Sequence, residues 1–101
     1  MDPGIPDIFI SDVVISTTGR DKGDFFYVIH MDPDHLYLAN GKDRTLDKPK
    51  LKKRKHVQKV LRSETRVAEK LRAGDKVLNG ELRRDLASIS REMQSDNLGG
   101  F

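Results

Sequence analysis

The chain has 101 residues, enough for one domain with a modest core, and its 36% hydrophobic and 35% charged content describe a small interior under a very polar surface. It lacks cysteine, and its three histidines, His30, His35 and His56, stand at no metal-ligand spacing from one another, which excludes a disulfide framework and thiolate metal sites. The net charge of +3 hides an uneven distribution: residues 42–62 carry ten Lys or Arg and two acids, a local +8 that leaves −5 for everything else, and such asymmetry is the footprint of a polyanion-binding face, with nucleic acid the commonest polyanion.

Residues 1–10 hold Pro3 and Pro6 and then Ile8, Phe9 and Ile10, the pattern of an irregular arm whose apolar end packs on the domain. This start is acidic where a signal peptide is basic. No apolar run approaches the roughly 18 residues of a membrane span, so neither secretion nor a membrane is expected. Val13 to Thr18 is β-branched almost throughout and predicts a first strand. Gly19-Arg20-Asp21-Lys22-Gly23 ends it with two glycines that permit positive φ. Asp24 to Met31 predicts a second strand, Asp32-Pro33-Asp34 a turn, and Leu36 to Ala39 a third strand. Asn40-Gly41 predicts a hairpin turn into a short fourth strand over Asp43 to Leu46. Asp47-Lys48-Pro49-Lys50 breaks the pattern, Lys52 to Lys55 has no apolar side chain, and His56 to Val60 alternates as a fifth strand. Five short strands in about 50 residues predict a mainly β domain, a small closed barrel that leaves no exposed edges.

From Ser63 the apolar period changes to that of a helix. Ser63 is the expected N-cap, Val67, Ala68 and Leu71 share a face, and Gly74 marks the stop. Asn79 is the expected cap of a second helix with the stripe Leu82, Leu86, Ile89 and Met93, followed by a frayed tail from Ser95. The predicted organisation is an arm (1–10), a barrel with its basic segment (11–62), two helices (63–94) and a tail (95–101).

The order of the Gly19–Gly23 loop between two β-rich stretches, the Asn40-Gly41-Lys42-Asp43-Arg44 hairpin and the Lys48-Pro49-Lys50 run resembles the KOW-domain RNA-binding family related to large-subunit ribosomal protein L-fourteen-e. The resemblance covers about residues 11–60. It implies an SH3-like barrel, a ribosome-associated or ribosome-assembly role, ribosomal RNA and ribosomal proteins as partners, and a cytoplasmic setting. Asp24-Phe25-Phe26 departs from the pattern, standing where many KOW motifs have another glycine.

The candidate RNA contacts are Gly19, Arg20, Lys22 and Gly23 in the loop, Lys42 and Arg44 at the hairpin, and Lys48, Lys50, Lys52, Lys53, Arg54, Lys55 and His56 in the run. The glycines let backbone approach a phosphate, Arg offers a planar fork and Lys a compact charge. The competing readings are a glycine that only makes its turn, a solvated charge run and a spectator His56. Asp32, Asp34 and His35 mimic a metal site but read as a turn. Among the aromatic residues, Tyr27 and Tyr37 are the better stacking candidates, because a hydroxyl tolerates solvent. No nucleophile elbow, phosphate-cradling loop or His–carboxylate pairing indicates an enzyme, and no cofactor or small-molecule substrate is expected. The alternative reading is a protein-interaction module of the transcription or translation machinery, using the glycine loop and the Leu82–Met93 stripe.

Overall fold

The computed structural model describes residues 7–99. Strands β1 (Asp12–Ser16), β2 (Phe25–Met31), β3 (His35–Ala39), β4 (Lys50–Lys53) and β5 (Val57–Arg62) form one antiparallel sheet in the order β4-β3-β2-β1-β5. A single 3-10 turn, Arg54–His56, joins β4 to β5, and helices α1 (Arg66–Ala73) and α2 (Asn79–Gly99) follow. The architecture is mixed, with one sheet and two helices, where the sequence predicts a mainly β domain.

Strand alternation sorts the apolar residues onto two faces. Val14, Phe26, Val28, Leu36 and Leu38 form one buried cluster, which Ile8 of the arm completes. Val13, Tyr27 and Ala39 face the other way and pack against Ala68 of α1 and Leu82, Leu86 and Ile89 of α2. Burying each of the larger apolar side chains contributes about 1.5–3 kcal/mol, so both faces of this short sheet are needed to hold it. The stripe on α2 is therefore packed within the chain.

The sheet is strongly curled. Lys53 and Val57 lie at opposite edges yet are four residues apart, a reach of at most about 15 Å, whereas the edges of a flat five-stranded sheet are about 19 Å apart. Lys52 of the β4 edge reaches Ser16 of β1, three strands away in the order, at 2.6 Å. β4 and β5 are nevertheless the two ends of the ladder, where the sequence predicts closure.

The fourth strand lies at Lys50–Lys53 and not at Asp43 to Leu46. Residues 40–48 are instead an ordered loop against α2: the Leu46 amide donates to Asn79 Oδ1 at 2.8 Å, and a Cβ on Gly41 (φ 77°) would lie 2.2 Å from the Asn79 carbonyl oxygen. Close approach to a helix, and not a hairpin, is what requires Gly41. The cap of α1 is Thr65, whose side chain accepts from the Ala68 amide, and Gly74 ends that helix in the left-handed conformation. Ser63 is buried and bonded elsewhere. At α2 the cap position is Leu78, whose amide donates to Glu81 Oε2 at 3.0 Å, half of a capping box. The helix runs to Gly99, past the boundary expected at residue 94; residues 1–6 of the predicted arm and 100–101 of the predicted tail lie outside the described residues. Among the described residues no helix is long and apolar enough to cross a membrane.

Candidate nucleic-acid interface

The loop between β1 and β2 is built around one acid. Gly19 (φ 83°) and Gly23 (φ 91°) adopt the left-handed region that glycine tolerates, and the Gly23 amide returns to the Ser16 carbonyl at 2.8 Å. Inside the loop, Asp21 Oδ1 accepts from Ser16 Oγ at 2.8 Å and from Lys52 Nζ at 2.6 Å, and Lys50 Nζ lies 3.0 Å from Oδ2. Burial alone would raise the Asp21 pKa, but the hydrogen bonds from Lys52, Ser16 and Lys50 outweigh it and hold the carboxyl well below the usual carboxylate range. Lys52 also donates to Ser16 Oγ at 2.6 Å and to the Thr18 carbonyl at 2.7 Å. These three bonds use all three donors of its ammonium.

Lys52 is therefore removed from the list of RNA contacts. It is buried, with its side chain only 6% exposed, and has no donor left for a phosphate. The reason is register: Lys52 pairs with Leu36 and Lys50 with Leu38, so both point to the inner face with the core leucines. Lys50 is half-buried and committed to Asp21, which places it in the support of the loop. Arg20 and Lys22 are exposed on the loop's outer side.

The second segment is the 40–44 loop. Asn40 Oδ1 accepts from the Lys42 amide at 2.9 Å and the Arg44 amide at 3.0 Å, and its Nδ2 donates to Asp43 Oδ1 at 2.7 Å. One asparagine side chain thus holds the whole turn and leaves Lys42 and Arg44 exposed. The Asn40 bond, opposed by partial burial and aided by the charges of Arg44 and Lys42, lowers the Asp43 pKa. Arg20, Asp24, Asp43, Arg44 and Lys50 line one groove, which puts this loop beside the glycine loop. That groove mixes both signs of charge.

The third segment is the 3-10 turn. Lys53 and Lys55 are exposed, Arg54 and His56 are half-buried, and the His56 carbonyl accepts from the Thr17 amide at 2.9 Å, tying the turn to the end of β1. Of the ten cations in residues 42–62, four are paired: Lys50 and Lys52 with Asp21, Lys59 with Asp12 at 3.1 Å, and Arg62 with Glu64 at 3.2 Å. Among the described residues the other six, Lys42, Arg44, Lys48, Lys53, Arg54 and Lys55, have no carboxylate within ion-pair distance. Their charge is available to a polyanion.

Of the two tyrosines proposed for stacking, Tyr27 is fully buried. Its hydroxyl donates to Asp85 and bonds Ser63 Oγ at 2.8 Å; burial, reinforced by Asp85, pushes its pKa up to about 12. Phe26 is buried as well, and Phe25 packs on the helix-covered cluster. Tyr37 is half-buried on the sheet, and the ring of His30 meets it edge-on at 4.9 Å. Asp32 Oδ1 accepts from the Asp34 and His35 amides at 2.9 and 2.7 Å, the geometry of the predicted turn. Sequence reasoning missed Asp21, the lone acid of the basic loop. Its signal was the spacing Lys50, Lys52, which on a strand shares one face. No protein-family model and no curated protein matches this chain.

Proposed function

We propose that this chain binds structured RNA through sugar-phosphate contacts, as a ribosome-associated or ribosome-assembly protein of the KOW family. In this reading the curled sheet is an SH3-like barrel. Six cations with no carboxylate within ion-pair distance among the described residues are the observation that carries the proposal: Lys42 and Arg44 on one ordered loop, Lys48 after it, and Lys53 at the end of β4 with Arg54 and Lys55 on the turn that follows. A solubilising surface mixes its charges, whereas a block of one sign, as from Lys48 to Lys55, is best tolerated where a polyanion neutralises it. A-form RNA suits such a surface, because its duplex is recognised by shape and phosphate geometry more than by base edges. Asp21 and Asn40 support the reading in a second way: each fixes a loop through buried or multiple hydrogen bonds, so the cations are presented by ordered backbone. A cytoplasmic setting is part of the same proposal. The protein-interaction reading loses one of its two surfaces, since the α2 stripe packs on the sheet.

The test is sedimentation of the cellular protein through sucrose gradients at low and high salt, for the wild type and for a Lys53→Glu, Arg54→Glu, Lys55→Glu variant. The proposal expects co-migration with ribosomal particles that is lost at high salt and in the variant. Migration as a free protein at low salt, or association that survives both high salt and charge reversal, contradicts it.

A further inference from the structure

The helices cover part of the outer face of the sheet and leave one row across its other half. His30 of β2, Tyr37 of β3 and Leu51 of β4 are cross-strand partners in sequence, so their side chains stand side by side. Tyr37 and Leu51 belong to neither buried cluster. Leu51 is 50% exposed, an unusual position for a leucine in a lysine-rich edge strand, and His30 is exposed while its ring props Tyr37 edge-on. Two residues along the same strands, about 7 Å away, His35 pairs with Lys53. There an open groove of about 520 Å³ is lined by Pro33, Asp34, His35, Lys53, Arg54 and Lys55. A partly aromatic row, with the His30 ring at 65° to that of Tyr37, thus borders a groove in which three cations face Asp34, while Asp32 accepts from the Tyr37 hydroxyl at 3.4 Å.

We infer that this row is a stacking platform for a single unpaired nucleobase, with the phosphate of the same nucleotide held by Lys53, Arg54 and Lys55. The inference rests on the RNA-binding reading and narrows its substrate to RNA that offers an extruded base beside a duplex. The chemistry is that of other sequence-tolerant sites: every base has a π-face for Tyr37 and an apolar surface for Leu51, and the backbone charge is met alongside. A protein partner would be expected to satisfy the polar edge of β4 as well, but the Lys50–Lys53 edge carries the lysines that discourage strand addition. The separation of platform and cations also fits one nucleotide, whose base and phosphate are joined through a single sugar.

Two RNA hairpins distinguish the possibilities, one with a single bulged 2-aminopurine and one with the same 2-aminopurine paired. The wild type is expected to bind the bulged hairpin roughly 10-fold more tightly and to quench its fluorescence, the effect of one stacked base. Tyr37→Ala and, separately, the surface change Leu51→Ser remove the preference and the quenching while leaving affinity for the paired hairpin within about twofold; Tyr37→Phe retains both. Circular dichroism checks the fold, and Leu51→Ser suffices if Tyr37→Ala does not fold. Equal wild-type affinity for the two hairpins overturns the platform and leaves RNA binding standing, as does a preference that survives Leu51→Ser and, where it folds, Tyr37→Ala. Failure to bind either hairpin overturns both readings.

Discussion

Lys52 and Lys53 are adjacent, chemically identical and opposite in role. Alternation along β4 sends Lys52 inward with Lys50 and leaves Lys53 outside beside His35. Lys52→Ala takes one of two cations from Asp21 and leaves the Ser16 hydroxyl and the Thr18 carbonyl without their buried ammonium donor, so it should cost about 3 kcal/mol although Lys50 still faces the carboxylate. For a domain of this size that is a fall of more than about 10 °C in Tm. Lys53→Ala should leave the melting curve almost unchanged and weaken RNA binding. Paired thermal melts and fluorescence-anisotropy titrations check this; equal destabilisation by the two changes would contradict it. The difference was not legible in the run itself, because a lysine that saturates a buried acid and one that faces solvent look alike until the strand register is known.

At the scale of elements, Tyr27 joins three of them. It lies on β2, and its hydroxyl meets Ser63 between β5 and α1, Thr65 at the cap of α1 and Asp85 on α2. Its folded pKa is raised to about 12, from an ordinary value near 10. Because the folded state keeps the proton longer, the unfolded state ionises first as pH rises. The stabilisation is complete below about pH 10 and is lost between about 10 and 12. Melting temperatures measured from pH 9 to 12 should therefore fall more steeply for the wild type than for Tyr27→Phe, and parallel curves would contradict the assignment. The strands around this residue were legible: β1, β2 and β3 lie within a residue or two of their expected positions, since β-branched and aromatic runs bounded by glycine and Asp-Pro turns have few alternatives. The α2 stripe was equally plain, and its leucines are buried. The fourth strand was hidden for two physical reasons. Asn40-Gly41 serves contact with α2 where a hairpin has the same spelling, and the inward positions of β4 are filled by lysines instead of apolar residues.

The whole molecule divides its charge between two tasks. Four cations of the basic segment pair with Asp21, Asp12 and Glu64, those on Asp21 holding the glycine loop, and among the described residues the other six have no carboxylate within ion-pair distance. The basic segment was legible from charge counts alone, but which of its cations are paired was not, because three of the four pairings join residues about 30 or more apart in the chain. The most direct test is the salt dependence of binding to a structured RNA. If four to six of these side chains contact phosphates, the slope of log K against log[salt] should be roughly −3 to −5. It should become shallower by about 2 in a Lys53→Glu, Lys55→Glu variant. A slope near zero, or one unchanged by reversing these two charges, would contradict the account.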